Sequence, residues 1–68
     1  MKILLSVPYS HEVVLEDDGR HVLEVYCGGI ATYTVREPMT PDDVAAFELD
    51  PGSVERIALQ IQRYGKRQ

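Results

Sequence analysis

The first half of the chain consists of short apolar segments separated by residues that favour turns. Such segments, rich in β-branched and aromatic residues, are typical of strands. They span residues 2–7, 12–16, 21–27 and 30–36. Turn residues divide them: Pro8, then the run Asp17-Asp18-Gly19, then Gly28-Gly29. This order predicts an antiparallel meander of four strands, or of three if the first two segments form one bent strand.

The spacing of apolar residues changes after Pro38, where the sequence begins to resemble a helix. Thr40 is a good N-cap, Pro41 suits the first helical position, and Asp43 stands where a capping box places an acid. These signals predict a short helix over residues 41–49.

A second helix is predicted over residues 53–64, preceded by a cap at Asp50 or at Ser53. Its apolar positions recur at helical spacing and form one face, namely Val54, Ile57, Ala58 and Ile61. Gly65 then provides a left-handed stop. The predicted fold is a single α+β domain over residues 1–68, with a sheet over 2–36 and both helices packed on one sheet face.

The turns also predict how the side chains divide between the two sheet faces. Two-residue turns at Asp18-Gly19 and Gly28-Gly29 place Leu15 opposite Val22 and Glu24 opposite Tyr33. Both faces are then largely apolar, although two helices can cover only one of them. The second face is predicted to bind a protein partner, together with two acids of the first hairpin. The candidate binding residues are Leu23, Val25, Cys27, Ile30, Thr32, Asp17 and Asp18.

Charge is unevenly distributed along the 68 residues, whose net charge is −4. Residues 1–55 carry eleven acids and three bases, which leaves −8, whereas residues 56–68 carry four bases and no acid. An acidic body opposes binding to a phosphate backbone, so a nucleic-acid partner is not expected. Complementary charge favours a basic protein instead.

The cysteine content and the length of the apolar runs indicate the cellular compartment. A single cysteine excludes an internal disulfide and is typical of a reducing compartment. No apolar run approaches the roughly 20 residues of a membrane span, and none resembles a signal-peptide core. We therefore expect a cytoplasmic protein that does not interact with membranes.

Candidate catalytic and ligand-binding groups are few. Cys27 and His21 lie six residues apart on one strand, which is too far for a nucleophile and its base, and His11 is predicted to face away from Cys27. Gly28-Gly29 lacks the further glycines, the lysine and the helix of a phosphate loop. No metal-ligand spacing occurs. Glu24 is either a functional carboxylate or a solvated residue at a sheet edge. We expect no enzymatic activity, cofactor or metal.

The segment "TPDDVAAFELDPGSVERIALQIQRYG" is similar to the C-terminal half of small orphan bacterial immunity-type proteins, the antidotes of polymorphic toxins. The likeness covers residues 40–65, a capped acidic turn and two helices that follow a β-meander. It implies an acidic, non-catalytic inhibitor and carries over no functional residue.

Three functions therefore remain open. The first is a non-catalytic protein-binding module, such as an immunity or antitoxin-like inhibitor that masks its partner. The second is a homodimeric structural or accessory protein that buries the second sheet face against its own copy. The third, less favoured, is a small-ligand binder or enzyme with a site near Glu24, Tyr33 and Cys27.

Overall fold

The computed structural model of the protein describes residues 1–28 and 32–67. Four strands form one antiparallel sheet in the order β1-β2-β3-β4, and two α-helices follow, separated by one 3₁₀ turn at Pro51–Ser53. The elements are β1 Lys2–Val7, β2 His11–Leu15, β3 His21–Gly28, β4 Thr32–Pro38, α1 Pro41–Leu49 and α2 Val54–Tyr64. The predicted α+β fold is confirmed, with four strands rather than three.

Glu16 and Arg20 extend the pairing of β2 with β3, so the turn between them holds three residues, Asp17-Asp18-Gly19, and the predicted two-residue turn at Asp18-Gly19 is wrong. The amide of Glu16 donates to the carbonyl of Arg20 (2.8 Å), and the amide of Gly19 donates to the carbonyl of Glu16 (2.9 Å). Gly19 has a φ of 90°. This arrangement is a turn followed by a left-handed residue, which favours glycine.

The longer loop shifts the pairing of β2 with β3 by one residue. Leu15 lies opposite His21 instead of Val22, and Val13 lies opposite Leu23. A shift of one residue moves one strand's side chains to the other face relative to its neighbour. Val13, predicted to lie on the face away from Leu23, therefore shares a face with it.

The pairing of β3 with β4 also differs from the prediction. Gly28 lies opposite Thr32 and Cys27 opposite Tyr33, which excludes a two-residue turn at Gly28-Gly29. Gly29 itself belongs to residues 29–31, outside the described residues. In this register Glu24 lies opposite Arg36, not opposite Tyr33.

The hydrophobic core lies between β3 and α2. Leu23 and Val25 of β3 are buried against the apolar face of α2, and Phe47 of α1 joins them. The full cluster is Val13, Leu23, Val25, Cys27, Phe47, Val54, Ala58 and Ile61. Both helices therefore cover one sheet face, as predicted, and the opposite face is called the open face below.

The predicted helix ends are confirmed at α1 and at the end of α2. The hydroxyl of Thr40 accepts from the amide of Asp43 (3.1 Å), and the Asp43 carboxylate accepts from the amide of Thr40 (2.9 Å). Gly65 ends α2 with a φ of 79°. Of the two alternatives before α2, Asp50 acts as a cap, since its carboxylate accepts from Gly52, whereas the Ser53 side chain makes no capping hydrogen bond.

Asp43 also joins α1 to the residues that follow α2. The guanidinium of Arg67 donates two hydrogen bonds to the Asp43 carboxylate, at 2.6 and 2.9 Å. These bonds, with the capping box, hold the pKa of Asp43 well below its usual range. A paired, largely buried carboxylate of this kind links two elements that are distant in sequence.

We expect Ile61→Val to lower the free energy of unfolding by about 0.5–1.5 kcal/mol, because the methyl group it removes is fully buried under β3. Leu59→Val, in the same helix but at a half-exposed side chain, is the matched control and should change stability by less than about 0.5 kcal/mol. Urea unfolding followed by circular dichroism measures both. Equal losses for the two variants would contradict the assigned core.

We expect Asp43→Asn to cost about 1–3 kcal/mol, because it leaves Arg67 without its charged partner. The folded pKa of Asp43 is below its unfolded value, so its contribution is present above about pH 4 and is lost as the pH falls further. Urea unfolding across this range should therefore show a shallower acid loss in Asp43→Asn than in the wild type. Asp42→Asn, at the exposed neighbouring acid, is the control and should retain the wild-type acid loss.

Candidate functional site: the open face of the sheet

Three of the predicted binding residues lie in the core, so their assignment to an uncovered face is wrong. Leu23, Val25 and Cys27 are almost fully buried under α2. The physical reason is the register: the three-residue loop before β3 places Leu23 and Val25 on the same face as Val13, and α2 covers that face. A partner cannot reach these side chains while the domain stays folded.

The remaining predicted residues are exposed or lie outside the described part of the chain. Ile30 belongs to residues 29–31, which the structure does not describe. Thr32 is exposed at the start of β4. Asp17 forms an ion pair with the N-terminal amine. Asp18 accepts from the backbone and the side chain of Arg20, and the backbone hydrogen bond is the main cause of its lowered pKa.

The open face is arranged in rows that run across the strands, instead of being largely apolar. One row, the apolar band, contains one residue from each strand: Ile3, Val14, Val22 and Pro38. The next row, the charged band, contains Ser6, Glu12, Glu24 and Arg36. Successive rows alternate with the residues that point to the helices, as the pleat of a sheet requires.

An ion-pair network across the apolar band explains why its central valines are buried without a helix above them. Arg36 forms an ion pair with Glu24 of the charged band (3.0 Å) and donates to Glu16, which lies on the far side of the apolar band. The bridge therefore passes over Val14 and Val22, both of which are buried. The aliphatic part of an arginine side chain covers apolar surface in this way. The exposed members of the band are Ile3 and Pro38, which lie at its two ends.

The sheet-edge position considered for Glu24 is not observed. Glu24 lies on the central strand β3, not at a sheet edge, and its carboxylate is engaged by Arg36. The ligand site considered near Glu24, Tyr33 and Cys27 is not assembled either. Cys27 and Tyr33 lie opposite each other on the helix side of the sheet, whereas Glu24 lies on the open face.

Beyond the charged band, the open face ends in a concavity of about 760 Å³ that is open to solvent. It is rich in hydroxyl groups, and Tyr33 contributes to its rim. We call its remaining tyrosines and threonines, together with one adjoining acid, the tyrosine end: Tyr9, Glu12, Tyr26, Thr32 and Thr34.

Tyr9 has the most unusual backbone conformation at the tyrosine end. The amide of Ser10 donates to the carbonyl of Val7 (3.1 Å), which closes a four-residue turn with Pro8 and Tyr9 at its centre. Tyr9 has a φ of 62°. Because proline cannot adopt a positive φ, the turn is of type II, whose third position is normally glycine or asparagine. The Tyr9 side chain is 97% exposed.

Tyr26 and Glu12 of the tyrosine end are joined by a hydrogen bond. The Tyr26 hydroxyl donates to the Glu12 carboxylate, and this bond is the main cause of the raised Tyr26 pKa. From α2, the side-chain amide of Gln62 donates to the carbonyls of Ser10 (3.3 Å) and Tyr26 (3.2 Å). The turn that carries Tyr9 is therefore tied both to the sheet and to the helix layer.

Cys27 and His11, which were considered for nucleophilic chemistry, each hydrogen-bond to other groups. His11 lies on the helix side of the sheet, the same side as Cys27, so its predicted orientation is wrong. The Cys27 sulfur contacts the carbonyls of Val25 and Ile61, both at 3.9 Å, and is 5% exposed. Within residues 1–28 and 32–67, no group of three potential ligands is placed to hold a metal ion.

His11 is the one buried polar residue among those described. Its Nδ1 shares a hydrogen bond with the Ser10 hydroxyl (2.7 Å), and its side chain lines a pocket of about 190 Å³ with Glu55 of α2. Burial lowers the His11 pKa, and the negative charge of Glu55 opposes this effect. The imidazole is therefore neutral in the folded protein at neutral pH.

Comparison with known proteins adds no family assignment. No family model matches the chain, and no curated protein or solved structure is significantly similar to it. None of the described helices is long and apolar enough to cross a membrane.

We expect stability to fall between about pH 7 and pH 5 because of His11. Its folded pKa is below the unfolded value, so the contribution is complete above about 6.5 and is lost as the pH falls through the folded pKa. The measurement is the urea midpoint at several pH values for the wild type and for His11→Gln, which does not titrate in this range. Equal pH dependence in the two proteins would contradict the assignment.

Proposed function

We propose that the protein is a non-catalytic protein-binding module, of the kind represented by immunity or antitoxin-like inhibitors, and that its tyrosine end contacts the partner. The observation that carries this proposal is Tyr9. A fully exposed aromatic side chain occupies a turn position at which a side chain is costly. The surface around it has the chemistry of a recognition site.

The backbone of Tyr9 provides the energetic argument. A non-glycine residue in the left-handed region costs about 1–2 kcal/mol. Burial of the ring in the folded domain does not offset this cost, because the side chain is almost completely in solvent. Backbone strain of this kind is concentrated at binding and catalytic sites. Association with a partner would bury the ring and offset the cost.

The composition of the tyrosine end supports a protein as the partner. Tyrosine is enriched at protein interfaces because it offers a large ring and a polar hydroxyl with few rotatable bonds. Here three tyrosines and two threonines line a shallow concavity, and Tyr26 is held in place by Glu12. A surface fixed in advance loses less conformational entropy on binding.

The charge of the protein selects among protein partners. Residues 1–55 carry an excess of eight negative charges, and Glu12 belongs to the tyrosine end. A basic surface on the partner would complement this charge and accelerate association. The proposed role is therefore to mask a basic region of another protein.

We expect Tyr9→Asn to weaken partner binding about tenfold or more, because the variant removes the exposed ring. The fold should be retained or slightly stabilised, since asparagine tolerates a positive φ. The protein would be co-expressed with the product of the neighbouring gene, and the affinity of the purified pair would be measured by calorimetry.

Tyr64→Asn is the matched control, because Tyr64 is also an exposed tyrosine but lies at the end of α2. It should leave the affinity unchanged. Equal losses for the two variants would contradict the proposed surface. No binding by the wild type would overturn the proposed function for that partner.

A further inference from the structure

Among residues 1–28 and 32–67, no strand pairs with the outer edge of β4, whose backbone is regular. The sheet ends at β1 on one side and at β4 on the other. β1 contains a bulge between Ile3 and Leu5, an irregularity that hinders pairing with a further strand. β4 pairs with β3 without any shift over seven consecutive residues, from Thr32 to Pro38. Of the two edges, β4 is therefore the better template for another strand.

The hydrogen bonds to β3 show which backbone groups of β4 point outward. The amide of Met39, just after β4, donates to the carbonyl of His21 on β3 (3.0 Å). The backbone N–H and C=O groups of successive residues point alternately to the two sides of an antiparallel strand. Those of Glu37, Val35 and Tyr33 therefore also point toward β3. The outward residues are then Thr32, Thr34, Arg36 and Pro38. The first three offer both an N–H and a C=O group, whereas proline offers only its carbonyl.

The charges that commonly protect such an edge are absent or engaged in β4. Its one basic residue, Arg36, is held over the open face by Glu16 and Glu24 of the same chain. Its acid, Glu37, is half-buried on the helix side. Thr32 and Thr34 are exposed and uncharged.

We propose that the β4 edge pairs with the β4 edge of a second copy of this chain, antiparallel, with Thr34 opposite Thr34 on the two-fold axis. This register places Thr32 opposite Arg36 of the other copy. In this register, every residue that exchanges backbone hydrogen bonds has its N–H and C=O groups on the outer side of β4, and none of these residues is a proline. Pro38 lies beyond them.

The side chains fit the same register. Tyr33 of each copy lies opposite Val35 of the other, in positions that do not exchange backbone hydrogen bonds, where opposed side chains are closest. Pairs of an aromatic and a β-branched residue, and pairs of threonines, stabilise antiparallel sheets. Tyr33 is 57% exposed and Val35 is half-buried in one chain, so each ring covers part of the other copy's valine. A register centred on Arg36 would instead oppose two arginines.

The proposed pairing forms a continuous sheet of eight strands. A two-fold axis perpendicular to the sheet keeps the helices of both copies on one side and both open faces on the other. This dimer differs from one that buries a sheet face, because Tyr9, Glu12 and Tyr26 of each copy stay accessible, although Thr32 and Thr34 of the tyrosine end take part in the backbone pairing.

Charge exchange at Thr34 tests the proposal in the isolated protein. Light scattering and sedimentation equilibrium should give a molar mass of twice 7.7 kDa for the wild type. Thr34→Lys and Thr34→Glu should each be monomeric, since like charges would lie directly opposite each other. An equimolar mixture of the two variants should recover a dimer. Thr34→Val keeps a β-branched side chain and should remain dimeric. Circular dichroism verifies that all three variants are folded.

Three outcomes would overturn the pairing. A wild type that is monomeric at all accessible concentrations would leave the β4 edge to a strand of a different protein. If Thr34→Lys and Thr34→Glu, each measured by itself, still formed dimers, the interface would lie elsewhere. Failure of the mixture to dimerise would exclude Thr34 from the axis. The assay contains no partner protein, so its result is independent of the proposed function of the tyrosine end.

Discussion

The contact between α2 and the helix-facing side of β3 is the interaction on which the rest of the structure depends. A domain of 68 residues buries only roughly 60% of the surface of its unfolded chain, so it can complete a single core. Leu23, Val25 and Ile61 form the centre of that core. Once α2 occupies this side of the sheet, the opposite side must be stabilised by its own side chains. The ion pairs of Arg36 above Val14 and Val22 do this without another layer of structure.

Features determined by neighbouring residues could be predicted from the sequence, and pairing between distant residues could not. The Thr40 cap, the extent of α1 and the stop at Gly65 depend on side chains within one turn of helix. Strand register depends on how many residues a loop holds, and Asp17-Asp18-Gly19 is compatible with loops of two or three residues. The difference of one residue exchanged the predicted faces, so Leu23, Val25 and Cys27 were assigned to a surface although they lie in the core.

The candidate site was not predicted, because its position also depends on strand register. One part of it, the turn at Pro8 and Tyr9, does have a local signal in the sequence. Proline is favoured at the second position of a turn, so Pro8 places Tyr9 at the third position, where glycine is usual in a type II turn. This pattern predicted a bend, and the importance of Tyr9 emerged only from its φ of 62° and its exposure. The charged band could not be recognised before the register was known, because Glu12, Glu24 and Arg36 come from three different strands.

The tyrosine end and the β4 edge are related through the sheet itself. Thr34 lies opposite Tyr26 in the β3–β4 pairing and also occupies the two-fold axis of the proposed dimer. The two tyrosine ends would therefore lie on the same side of one sheet, close to the axis. A partner with two equivalent basic regions could contact both ends at once, and its second contact would be intramolecular, which raises the overall affinity without any new interaction. A small acidic domain with one shallow surface gains most from this arrangement, because duplication enlarges its recognition surface without a larger core.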